Sequence, residues 1–193
     1  MNSASLLTRR QLLQAGMIAV AGSTAQRALA DKSPTDKVKK PGWIDAHSHI
    51  WTRDVKSFPL ANGKTVADLK PPSFTAEELI KISQPEGVSR VVLIQHHTYH
   101  GWDNSYLIDA ARRYPGRFRV TGMVDDAKPH PDVTMKKLLK QQVTGFRITS
   151  WIRGKDKWLD GPGMAAMWKC AAETGQAMCC LIDPADLEPV DKM

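Results

Sequence analysis

The hydrophobic positions of this chain alternate between a period of two and a helical period. Residues 42–51, "GWIDAHSHIW", read as a strand, and 75–82, "TAEELIKI", as a helix with Thr75 and Glu78 at capping-box spacing. Residues 88–95, "VSRVVLIQ", form a nearly continuous apolar run, the pattern of a strand covered on both faces. A helix over 103–114 follows, capped by Asp103 or Asn104 and stopped by Pro115-Gly116. Then come strand 117–124, helix 132–142, strand 143–151, helix 163–175, strand 177–183 and a further helix from 186.

Strand and helix in strict alternation, with loops that are usually short, predict parallel strands joined by crossover helices. Two α/β architectures satisfy that pattern: an open doubly wound sheet, or part of a (β/α) barrel. The turn after the first strand reads "HSHIWTRD", without the glycines of a dinucleotide-binding fingerprint.

The first thirty residues stand apart. Arg9-Arg10, an apolar stretch and the small-residue site Ala28-Leu29-Ala30 form the three parts of an export signal. Its apolar part, about 14 residues, is short of the ~20 that span a bilayer. "TRRQLL" resembles the twin-arginine type, which predicts a periplasmic or secreted protein with no membrane anchor after cleavage. Residues 31–41 read as a solvated linker, which leaves 42–193 as the folded domain.

Setting the signal aside changes the charge. The chain has 27 Lys and Arg against 20 Asp and Glu, and three of the arginines fall in the signal. No basic stripe interleaved with aromatics remains, so nucleic acid is excluded as the expected partner. Three cysteines are too few for a disulfide framework, and Cys179 and Cys180, with apolar neighbours, are expected to be buried thiols.

Chemistry concentrates at strand ends. Alternation places Asp45, His47 and His49 on one face of the first strand, where the two imidazoles can converge on one ion or on substrate. Asp45 would then accept a ring N–H and fix a tautomer. His96, His97 and His100 lie in a loop after the second strand that would overhang such a site, and His97 is assigned to substrate contact. Asp125 and Asp126 end the third strand, where capping of the next loop is the default role. Arg147 ends the fourth. A buried guanidinium there needs an anion: a substrate carboxylate or lactone oxygen, or a strand-end aspartate in a salt bridge. Trp51, Trp102 and Trp151 could wall a pocket or serve as packing, and "GMAAMW" is expected as helix core.

"DAHSHIW", "VSRVVLIQ", "DNSYLIDAARRYPGRF", "GMVD" and "GFRI", in this order from Gly42 onward, resemble the amidohydrolase-related family of sugar-lactone and pyrone-dicarboxylate lactonases and amino-carboxymuconate-type decarboxylases. The resemblance implies a TIM-type (β/α)8 barrel, of which this chain would supply about five of eight βα units. It implies hydrolysis of a small cyclic ester, lactone or amide by water attack on a carbonyl, with metal-dependent decarboxylation as the alternative within the family. His47 and His49 would hold a divalent metal, zinc first. Asp183 stands in the stretch where the family's third histidine ligand is expected, and it is assigned to the site. The family's general base would lie beyond Met193. Small-molecule substrate is the implied partner and self-association is left open. A non-catalytic fragment, or a half-barrel closed by another chain, is the rival reading.

Overall fold

All five strands expected from the alternation form, each paired with the next in sequence. The computed structural model describes residues 42–153 and 158–192. The expected signal segment, 1–30, and linker, 31–41, lie outside the described residues. Strands β1 (Trp43–Ser48), β2 (Val88–Ile94), β3 (Phe118–Gly122), β4 (Val143–Thr149) and β5 (Ala177–Leu181) run parallel in the order β1-β2-β3-β4-β5. Between and after them lie α1 (Ala76–Ser83), α2 (His97–His100), α3 (Ser105–Arg113), α4 (Pro131–Leu139), α5 (Ser150–Arg153), α6 (Pro162–Thr174) and α7 (Leu187–Asp191). A doubly wound sheet reverses its strand order at a switch point. This one does not, and five strands in sequence order form the wall of a half-barrel.

One set of alternating strand residues is sealed under helices. Val91 and Leu93 of β2, Phe118 and Val120 of β3, and Phe146 and Ile148 of β4 are all buried. Leu107 and Ala110 of α3, Met135 of α4, and Met164 and Met167 of α6 join the same core, so the methionine-rich segment is helix core as expected. α6 approaches the end of β3 so closely that a Cβ on Gly163 would meet the Asp126 carbonyl oxygen at 1.9 Å. The opposite face of the sheet carries Thr121, Arg147 and Thr149, and it positions the site.

The outermost strands behave differently. β1 and β5 are the ends of the sheet, and Trp43 (77% exposed), Ile44 (53%) and Leu181 (40%) sit on them. The same edge position corrects the expectation for the cysteines. Cys170 of α6 is buried and all three thiols are free, but Cys180 is exposed, because β5 is an edge strand with a neighbour on one side alone. Two further differences concern element ends. β4 stops at Thr149 and the chain turns into α5, where the Ser150 hydroxyl donates to Asp186 (2.8 Å). The histidine loop after β2 is the short helix α2.

The capping box of α1 is present, with the Thr75 hydroxyl accepting the Glu78 N–H (3.2 Å) and the Glu78 carboxylate accepting the Thr75 N–H. Asp103, rather than Asn104, accepts the Ser105 N–H (2.8 Å) at the start of α3. Asn104 instead ties α3 to β3, donating to the Met123 carbonyl (2.9 Å) and accepting its N–H (2.8 Å).

Glu77 links α1 to the end of α3, accepting from the Tyr114 hydroxyl (2.7 Å) and from the Arg113 guanidinium. Burial pushes its carboxyl up, but Tyr114, the backbone and Arg113 outweigh that and hold it at about 2. Since the folded value lies below the ordinary 4.5, the stabilisation is complete above that pH and is lost as pH falls toward 2. The network is largely exposed, so Glu77→Gln is expected to cost about 0.5–1 kcal/mol at pH 6. Urea titrations at pH 6 and pH 3 should show the gap between the two proteins narrowing in acid.

Candidate active site

A bulge in β1 separates Asp45 from the two histidines. Asp45 pairs with Val91 and Ser48 with Leu93, and the register slips between them. Paired residues share a face, so Asp45 and Ser48 both turn toward the helix side. There the Asp45 carboxylate accepts the Ser48 hydroxyl (2.5 Å) and the His47 N–H (2.9 Å). The expected role of Asp45 in orienting an imidazole is therefore corrected: its oxygens are taken by the bulge.

The imidazoles themselves converge. His49 Nδ1 lies 2.7 Å from the Ile94 carbonyl, which can only accept, so Nδ1 carries the proton. Burial lowers the His49 pKa, with His47 and Arg147 acting in the same direction against the bond to Ile94. The ring is then neutral and Nε2 bears a lone pair. That lone pair faces His47 Nε2 at 3.2 Å. On its other side His47 Nε2 lies 3.3 Å from Arg147 Nη1, a donor, so this nitrogen can accept from Arg147 or, carrying the proton, donate to His49.

Two imidazole nitrogens at this separation share a proton or flank a cation. Two nitrogens bound at 2.0–2.1 Å to a tetrahedral ion would stand about 3.3–3.4 Å apart. The backbone-bonded Nδ1–H of His49 is the usual outer support of a ligating histidine. The pair fits a divalent ion. Among the described residues no group of three or more His, Cys, Asp or Glu could hold one, so a third ligand is not part of the cluster.

A cleft of about 320 Å³ opens beside the pair at the C-terminal ends of the strands, lined by His49, His96, His97, Arg147, Thr149 and Trp151, among others. Burial lowers the Arg147 pKa, and the described residues give it no carboxylate partner. The alternative of a salt bridge to a strand-end aspartate is not realised. Asp125 accepts the Ala127 N–H (3.0 Å) in a turn, as the capping role required. Asp126 pairs at 2.6 Å with Arg153, whose side chain is 3% exposed.

His97 lines the cleft with its ring edge-on to Trp102, and burial lowers its pKa. His96 stacks on Tyr99 at 4.4 Å and meets His49 edge-on at 4.8 Å. Burial first, then the repulsion that a protonated His49 would exert, pushes it down to about 4, so it too is neutral near pH 7. His100 is buried, with Nδ1 3.2 Å from the Pro59 carbonyl. Asp183 follows β5 but is not among the cleft-lining residues. It is exposed and opens the 3-10 turn Pro184–Asp186, where the Asp186 carboxylate accepts its N–H (3.2 Å). Trp51 packs among Phe74, His96 and Tyr99, Trp151 lines the cleft, and Trp102 borders a separate cavity of about 600 Å³ beside α3 and α4.

Gln95 and Thr149 were not singled out by the sequence, yet both line the cleft and both are buried. A signal was present: each is a polar residue at the C-terminal end of an apolar strand, where barrel sites assemble.

No family model matches the chain. By sequence it is similar to the 4-sulfomuconolactone hydrolase of Hydrogenophaga intermedia, 32% identical over 113 residues, which is 58% of this chain and 34% of that protein. By fold it is similar to a candidate 2-pyrone-4,6-dicarboxylic acid hydrolase of Pseudomonas putida (TM-score 0.63, 19% identity, 79% of this chain and 52% of that one). A second such candidate, from Acinetobacter baumannii with citric acid bound, gives TM-score 0.58, 17% identity and coverage of 71% and 48%. An amidohydrolase of Burkholderia multivorans with bound zinc gives 0.55, 16%, and 77% and 52%. The chain thus spans about a third of the curated relative and about half of each solved structure. The sequence match and the shared fold both bear out the resemblance drawn from "DAHSHIW" and the blocks after it.

Proposed function

We propose that this chain, which resembles the lactonase-like amidohydrolase-related proteins in sequence and in fold, carries the first-strand half of a hydrolase site that opens a small lactone or cyclic ester. The observation that carries the reading is the meeting of His47 Nε2, His49 Nε2 and the Arg147 guanidinium at one cleft. In this reading water adds to the carbonyl carbon, the ring C–O bond breaks, and the freed oxygen takes a proton to give a hydroxy acid. Arg147 binds the carboxylate or the oxygen that gains charge. His49, held by Ile94, keeps its Nε2 lone pair toward His47 at the edge of the cleft. Trp151, Ile152 and Leu181 supply the apolar part of the cleft wall. A divalent ion at His47 and His49, zinc as in the Burkholderia multivorans neighbour, would supply Lewis acidity toward the carbonyl oxygen.

The half-barrel is read as five βα units of an eight-fold barrel, supported by its coverage of about half of the solved relatives. Residues 1–30 are read as a twin-arginine signal directing the protein to the periplasm, supported by Arg9-Arg10 and Ala28-Leu29-Ala30. A cell fractionation with Arg9→Lys and Arg10→Lys together should then leave the protein in the cytoplasm.

The test is a panel of anionic lactones given to the protein with and without a chelator, alongside metal analysis and assay for released carbon dioxide. Ring opening that falls on chelation and recovers with zinc is expected. Carbon dioxide release without ring opening would favour the decarboxylase and sink the hydrolase.

A further inference from the structure

Three polar atoms of cleft-lining residues are buried without a partner in the protein: Gln95 Oε1, His96 Nδ1 and Thr149 Oγ1. Such atoms carry a full desolvation cost, and a cluster of them at one cavity is the mark of groups that pair with a ligand. Gln95 and Thr149 are each 1% exposed. The orientation of Gln95 is settled by chemistry. Its Nε2 donates to the Gly101 carbonyl (3.3 Å) and to the Asp103 carbonyl, and carbonyls accept only. Oε1 is thereby left as an acceptor and requires a ligand O–H or N–H. Thr149 stands two residues after Arg147 on β4, on the same face, and its hydroxyl can donate.

We propose that the cleft is built for a small carboxylate that also bears a hydroxyl: Arg147 and Thr149 receive the carboxylate, and Gln95 reads the hydroxyl. Gln95 is then a specificity-determining residue. This rests on the hydrolase reading, since opening a lactone produces a carboxylate and a hydroxyl on one molecule, and it names the groups that recognise them. Arg147 sets the charge of the ligand. Gln95 sets which carboxylate is kept, because a ligand lacking the hydroxyl leaves Oε1 unpaired.

Malate and succinate, which differ by one hydroxyl, are the probes, and binding to the protein is followed by calorimetry. Malate is expected to bind about tenfold tighter than succinate. Gln95→Leu should bring the ratio to about one while succinate affinity holds, and Thr149→Val should weaken both acids by a similar factor. Gln95→Lys keeps an N–H donor for the Gly101 and Asp103 carbonyls and offers no acceptor, so it should lose the ratio too if Gln95→Leu does not fold. Equal affinities in the unaltered protein, no binding of either acid, or a ratio that survives at Gln95 would overturn the proposal. Hydrolysis plays no part in this readout. A protein that opens lactones without separating the two acids sinks this proposal alone, and one that separates them without opening lactones sinks only the hydrolase reading.

Discussion

Arg147→Met is expected to lower kcat/KM for lactone opening by about a hundredfold, the loss of a charge-assisted bond of about 2–3 kcal/mol. The same substitution should leave thermal stability unchanged or slightly raised. Arg147 is a half-buried cation whose partner is an imidazole nitrogen, His47 Nε2, at 3.3 Å. Its burial already lowers its pKa, which says that the site disfavours the charge when nothing anionic is bound. Removing it leaves no carboxylate stranded, and methionine fills a similar volume. Steady-state kinetics and a thermal melt on the same preparation check both halves. Equal losses of activity and stability would mean that Arg147 is a structural residue, as Arg153 is with Asp126.

His49→Ala is expected to weaken zinc binding by more than about a hundredfold, because even outer supports of a metal ligand are worth 10–100-fold. Elemental analysis after dialysis is the readout, and it does not depend on knowing the substrate. His97→Ala provides the contrast. Its ring lies against Trp102, so the metal content should stay while substrate affinity falls. Zinc retained by the His49→Ala protein would mean that the 3.2 Å approach of the two Nε2 atoms has another cause, a shared proton being the simplest.

Alternation reached the convergence of the two strand-end imidazoles, and it did not reach what depended on register or on neighbouring strands. His47 and His49 were legible because a strand sends every second side chain to one face. Asp45 obeyed the same rule on paper and failed it in the fold, because the bulge before Ser48 reverses the face. Cys180 followed its apolar neighbours on paper and came out exposed, since burial in an edge strand depends on what lies beside the edge. Gln95 reads as the tail of an apolar run. It becomes informative only when the carbonyls of Gly101 and Asp103 claim its amide nitrogen and leave its oxygen unpaired.

Periodicity determined the order of strands and helices in this chain and the face each turns to the helix-side core, because those depend on interactions a few residues apart. Strict alternation implied the parallel sense through the crossover connections. Tertiary structure alone decided that the strands lie side by side in sequence order, that Arg147 points at an imidazole a hundred residues earlier, and that Asp183 stands outside the cleft. Such outcomes depend on register and on which strand ends meet across the sheet, and a slip of one residue in either reverses them.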